Sequence, residues 1–152
     1  MAKKIVIGND HAAIELKNKI MEYVKELGYD VINVGIDENV SCDYPDFAYK
    51  VCKEIAGGNA DLGILICGTG VGMSIAANKY KGIRACCCSE SYSARLSREH
   101  NDANVICFGA RVVGLEIAKE IVKAFLNGEF LGAHHVARID KINKIESGTY
   151  KE

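Results

Sequence analysis

Apolar positions along the chain fall into two rhythms. Lys4 to Gly8, Leu62 to Cys67 and Val105 to Phe108 are short runs, apolar nearly throughout, and they read as strands buried on both faces. Val31 to Val34 and Arg84 to Cys88 are two further strands. Between them the apolar residues recur at helical spacing. The pattern predicts helices from His11 to Leu27, stopped by Gly28, and from Pro45 to about Ala56, closed by Gly57-Gly58. Others run from Val71 to Tyr80, from Ser91 to about His100, and from Leu115 to Leu126 ahead of Asn127-Gly128. A last helix, about His134 to Glu146, carries Val136, Ile139, Ile142 and Ile145 as one docking stripe, for the rest of the domain or for a partner subunit.

Strands alternating with helices predict an α/β fold, a three-layer α/β/α sandwich around a five-stranded parallel, Rossmann-like sheet. No internal repeat or linker divides the chain, so residues 1–152 read as one domain. In such sheets ligands bind beyond the carboxyl ends of the strands, where strand order switches.

Composition removes several function classes. Apolar residues make up 49% and charged residues 26%, which excludes a mainly disordered chain. A net charge of −1 gives no footprint for nucleic acid or an acidic membrane. No apolar stretch has the length of a membrane span or the pattern of a signal peptide, so the expected location is the cytoplasm. The seven cysteines are odd in number and none forms Cys-x-x-Cys. They read as free thiols in a reducing compartment, with no metal site.

The residues after the strands carry the candidate chemistry. Gly8-Asn9-Asp10-His11 follows strand one, and Asp10 there has the plain role of a helix cap. Cys67-Gly68-Thr69-Gly70-Val71-Gly72-Met73-Ser74 follows strand three and runs into a helix. Its glycines leave backbone N–H groups open to an anion, or form only a tight turn. It lacks the lysine of a P-loop and the third glycine of the dinucleotide fingerprint. A phosphatase loop would also need an arginine here, and a receiver domain an Asp in place of Cys67. Cys67 itself sits where a strand yields to a helix, a setting that favours a thiolate and suits a general base. Cys86, Cys87 and Cys88 read as buried small apolar residues, as do Cys52 and Cys107. Cys42 has no assigned role. His100-Asn101 ends a helix, where a histidine favours the dipole or transfers protons. Arg111 follows strand five. His134 and Arg138, four apart on one helix face, form either a solvated surface or, with Arg111, a phosphate clamp.

These residues resemble the type B ribose-5-phosphate isomerase family, which includes galactose-6-phosphate isomerase subunits. The resemblance rests on Gly8 to His11, Asp43-Tyr44-Pro45, Ile64 to Lys79, Ser97 to Asp102 and Phe108 to Gly114, and covers nearly the whole chain. It implies a cofactor-free aldose–ketose isomerisation through an enediolate, with ribose 5-phosphate and ribulose 5-phosphate as the leading pair. Allose or galactose 6-phosphate is the alternative. By that resemblance Cys67 is the general base, and Thr69 and His100 open the sugar ring. The amides of Gly68, Gly70, Val71, Gly72, Met73 and Ser74 hold the enediolate oxygen. Asp10, Tyr44 and Asn101 bind the sugar, and His11, Arg111, His134 and Arg138 bind its phosphate. It further implies a homodimer, or a dimer of dimers, with His100 and Asn101 supplied by the neighbour. Many relatives have an arginine at the place of His134, and His135 beside it leaves the register of that ligand open by one residue. A flavodoxin-like nucleotide or flavin module is the competing class, but Asn9-Asp10-His11 is not its hydroxyl-rich phosphate loop.

Overall fold

The apolar runs pair side by side, all parallel, in the computed structural model, which describes all 152 residues. The strands are β1 (Lys4–Asn9), β2 (Asp30–Asn33), β3 (Leu62–Cys67), β4 (Ala85–Cys87) and β5 (Val105–Gly109). A 3-10 turn, His11–Ala13, leads into α1 (Ile14–Glu26). There follow α2 (Tyr44–Ala56), α3 (Val71–Ala77), α4 (Ser91–Asn101), α5 (Leu115–Asn127) and α6 (His134–Glu146).

Strand order is β2-β1-β3-β5-β4. The chain moves outward from β1 to β2, crosses back to β3, jumps to the far edge at β4, then returns inward to β5. Because β-α-β crossovers are right-handed, each reversal of direction moves the connecting helix to the other face. One core accordingly joins residues of α1, α4 and α5, among them Ile20, Val24, Ala94, Ile121 and Phe125. The other joins residues of α2 and α3, including Ala48, Val51, Met73 and Ala77. The three layers anticipated from the sequence are present.

Strand parity distributes the side chains between these cores. Ile5, Ile7, Ile64, Ile66, Ile106 and Phe108 face α1, α4 and α5. Val6, Leu65, Cys67, Val105 and Cys107 face α2 and α3. Truncating one of the fully buried isoleucines to Ala costs roughly 2–5 kcal/mol. Gly63, the interruption in the apolar run of β3, has its reason in packing. A Cβ there would lie 2.7 Å from Val51 Cγ1 and 2.9 Å from Ile55 Cδ1, so glycine lets α2 close onto the sheet.

Two expectations need correction. The helix after β3 ends at Ala77 rather than Tyr80, because Asn78 turns away to bond both the N–H and the C=O of Ala85 at 2.8 Å. β4 is a three-residue edge strand, so Cys86 is only half-buried and Cys87 is exposed; of that trio Cys88 alone is buried. The α6 stripe, read from the sequence as docking on the domain or on a partner subunit, packs on its own chain only in part: Ile139 is buried, whereas Val136, Ile142 and Ile145 are exposed. No helix is long and apolar enough to cross a membrane.

Candidate active site

The carboxyl ends of β1, β3 and β5 gather Asp10, Cys67, Thr69 and Arg111. Parity sends the Cys67 side chain to the α3 face, where the following turn wraps around it. The Gly70 amide donates to Cys67 Sγ at 3.1 Å, so negative charge forming on sulfur meets a hydrogen bond at once. Gly70 adopts a left-handed φ of 81°, and a Cβ there would lie 2.7 Å from Phe108 Cα. The Arg111 amide donates to Gly68 O at 3.0 Å and the Ala110 amide to Cys67 O at 2.8 Å, which ties the turn to the end of β5. The exposed Arg111 side chain extends along Gly68.

Two amides at the start of α3 remain open. Val71 N–H is taken by Thr69 Oγ1 at 3.2 Å, and Ser74 N–H by Gly70 O at 3.1 Å. The N–H groups of Gly72 and Met73 between them have no acceptor in the chain. The Tyr44 ring lies on Gly72, since a Cβ there would meet its Cζ at 2.8 Å. Pro45 in the first turn of α2 fixes the backbone that presents Tyr44.

Asp10 is nearly buried and caps the 3-10 turn through Ala12 N–H at 3.0 Å, the plain role expected of it. His11 stands beside it. The Cys42 amide donates to His11 Nδ1 at 3.3 Å, which leaves the neutral ring's proton on Nε2. Cys42, without an assignment from sequence, thereby orients a candidate phosphate ligand. The 34–43 loop that carries it is fastened by Asn9 Nδ2 to Ile36 O at 3.0 Å and by a Lys17–Asp37 ion pair whose lysine side chain is wholly buried. A polar Asn closing an apolar strand was a visible signal for this fastening; nothing local marked Cys42.

His100, Asn101, His134 and Arg138 lie elsewhere. α4 runs back against the strand direction, so its end reaches the amino-terminal edge of the sheet. Arg84, just before β4, donates from Nε to Asn101 O at 3.0 Å and from Nη2 to Asp102 Oδ2 at 3.0 Å. Asp102 also pairs with Arg98 at 2.9 Å. α6 begins here, and Leu131 N–H donates to Glu99 O at 3.0 Å. A groove of about 900 Å³ opens between α6 and the α3–β4 loop, floored by Ile83, Ile142 and Ile145. This edge is a strand length, roughly 15 Å, from the end that holds Cys67. The four-cation clamp therefore does not assemble within one chain: His11 and Arg111 lie at one end, His134 and Arg138 at the other. On α6, His134 and Arg138 are exposed while His135 is turned inward.

The other thiols separate by environment. Burial pushes Cys52 up to about 11 and Cys88 up to about 12, and holds Cys107 well above the usual thiol range. These are inert packing groups near neutral pH. Exposed Cys87 donates to Thr69 O at 3.7 Å, but its thiol is also raised, by partial burial and by its neighbours Cys67 and Cys86.

A family model described as Ribose/Galactose Isomerase matches residues 5–142. Ribose-5-phosphate isomerase B of Escherichia coli K12 is 54% identical over 144 residues, 95% of this chain and 97% of that protein. D-erythrulose-4-phosphate isomerase of Pectobacterium atrosepticum is 47% identical over 93% of this chain and 94% of its own length. The structure of Clostridium thermocellum ribose-5-phosphate isomerase B superposes with a TM-score of 0.94 at 52% identity, covering 97% of this chain and 99% of that one.

Proposed function

The chain belongs to the ribose/galactose isomerase family, and on that footing we propose that it interconverts D-ribose 5-phosphate and D-ribulose 5-phosphate through an enediolate. The observation that carries the reading is Cys67: a strand-end thiol, hydrogen-bonded from Gly70, beside the two unclaimed amides of Gly72 and Met73. Cys67 as thiolate takes the C2 proton of the open aldose and returns it at C1, while the proton of the C2 hydroxyl passes to O1 through solvent, leaving the carbonyl at C2. The Gly72 and Met73 amides meet the oxygen on which charge develops, where preorganised donors act most strongly. His11, donating from Nε2, and Arg111 hold the phosphate from this side. Asp10 and Tyr44 line the sugar.

Ring opening needs a further proton-transfer group besides Thr69, because Asp10 and His11 of the strand-end cluster are already engaged with the sugar and the phosphate in this reading. His100 is the candidate, and its distance from Cys67 within one chain supports a site closed by a second copy. In that homodimer His100 and Asn101 of one copy face Cys67 of the other, and His134 and Arg138 complete the phosphate clamp. The relative that acts on D-erythrulose 4-phosphate favours a second reading, in which a four-carbon phosphosugar is the preferred substrate.

The test is conversion of ribose 5-phosphate and erythrose 4-phosphate by the wild type, by Cys67→Ala and by His100→Ala. Loss of the base should lower turnover by about 10²–10⁴-fold. After subunit exchange between the two inactive variants, half the dimers carry one intact site, so activity should return to about a quarter of wild type. Conversion of neither sugar overturns the isomerase reading, faster turnover of erythrose 4-phosphate selects the second one, and no recovery on mixing overturns the shared site.

A further inference from the structure

The residue next to His134 has no part in this reading, yet it is the better placed against His100. His135 is 7% exposed. Its ring lies nearly parallel to that of His100, with centroids 4.4 Å apart and planes at 14°. His134 packs against it at 4.1 Å and 38°, and Phe130 stands at 6.5 Å. The backbone is strained to reach this arrangement. Gly132 and Ala133 take positive φ in succession, 65° and 51°, and for Ala133 that conformation is costly. Strain of this kind persists where the surrounding structure holds it in place, here the turn that swings α6 beneath the end of α4.

We propose that His135 is a positioning residue for His100, a plate that fixes the imidazole by its face and leaves both ring nitrogens free at the edge. A hydrogen bond would have occupied one of those nitrogens, and the chain offers His100 none. The charged and titratable groups around His135 are His134 and Arg138 on its own helix and His100 on α4. Burial, followed by the charges of His134, His100 and Arg138, lowers its proton affinity. A ring kept neutral presents a π face that accommodates an imidazolium, whereas two protonated rings in a stack would repel. His100 can thus carry a proton without losing its support.

The role rests on the isomerase reading for its catalytic readout. Ribulose 5-phosphate has no ring, because the oxygen that would close one carries the phosphate. Exchange of its C1 hydrogen with solvent therefore reports the Cys67 step without ring opening. In the full-length protein, His135→Ala should slow conversion of ribose 5-phosphate about tenfold while exchange and the KM for ribulose 5-phosphate stay within about twofold. His135→Phe, which keeps a flat ring in place, should restore conversion to within about threefold of wild type. Equal losses in conversion and exchange, an unaffected Ala variant, or a Phe variant no better than Ala each overturn the proposal. Imidazole NMR on the free protein tests the stack without any substrate. The His100 ring resonances should lose their ring-current shift in His135→Ala and retain it in His135→Phe, and unchanged resonances in the Ala variant overturn the proposal even if no sugar is turned over.

Discussion

At the carboxyl ends of β3 and β5, backbone contacts hold the turn: Gly70 N–H donates to the Cys67 sulfur, Arg111 N–H to Gly68 O, and Gly70 and Gly109 press against the backbone of the adjacent segment. At the opposite edge, side chains do this work. Arg84 and Arg98 converge on Asp102, and His135 lies beneath His100. The first arrangement is rigid because main-chain contacts leave a turn no alternative rotamers. It suits an atom that must meet a C–H bond within a few tenths of an ångström. The second is more exposed and adjustable, because it is held by side chains that have other rotamers open to them. A substitution should accordingly do most harm where backbone geometry is the scaffold.

Among the substitutions that test this contrast, the largest effect is expected at Gly70→Ala. The new Cβ would lie 2.7 Å from Phe108 backbone at a φ of 81°, so the turn must move away from β5. A displacement near 1 Å at the reacting thiol should cost about 10²-fold in kcat, and the strained residue about 1–3 kcal/mol of stability. Steady-state kinetics and a denaturant melt check both; a variant with normal turnover would show that the turn is less rigid than its contacts imply. Asp102→Ala removes two arginine partners at a partly exposed site and should cost about 1 kcal/mol in urea unfolding. Its kcat should fall only a few-fold, through looser placement of His100 and Asn101. A loss as large as that of Gly70→Ala would erase the contrast between the two ends.

The smallest effect is a pH dependence of stability. His135 binds its proton less readily folded than unfolded, burial being the main cause. Its contribution is complete above the unfolded value of about 6.5 and is lost as pH falls below it, since the unfolded chain then takes up more protons. The wild-type Tm should therefore drop more steeply between about pH 7 and 5 than that of His135→Phe. Parallel Tm curves would mean that His135 is protonated as easily in the fold as outside it.

Periodicity and punctuation carried most of the fold: the three buried strands, the glycine and proline helix ends and the α/β alternation are all present in the structure. What they could not convey is which strand lies at the edge. Cys86, Cys87 and Cys88 look like core by composition, but β4 ends up last in the order and pairs on one side only, with β5. Candidate residues were legible where they followed strands directly, because strand ends are fixed points of such folds. Asp10, Cys67 and Thr69 are in this group. Lys17, Cys42 and His135 were not legible, because their partners are 20 or more residues away in sequence and local pattern says nothing of them.

By itself, then, the sequence determined where the strands and helices run and which candidate residues follow the strands directly, since periodicity and turn chemistry are local properties. Only the tertiary structure decided that the candidate residues form two groups at opposite edges of one sheet. That division follows from the direction of α4, which must run back along the sheet to start β5, and so carries His100 a full strand length from Cys67.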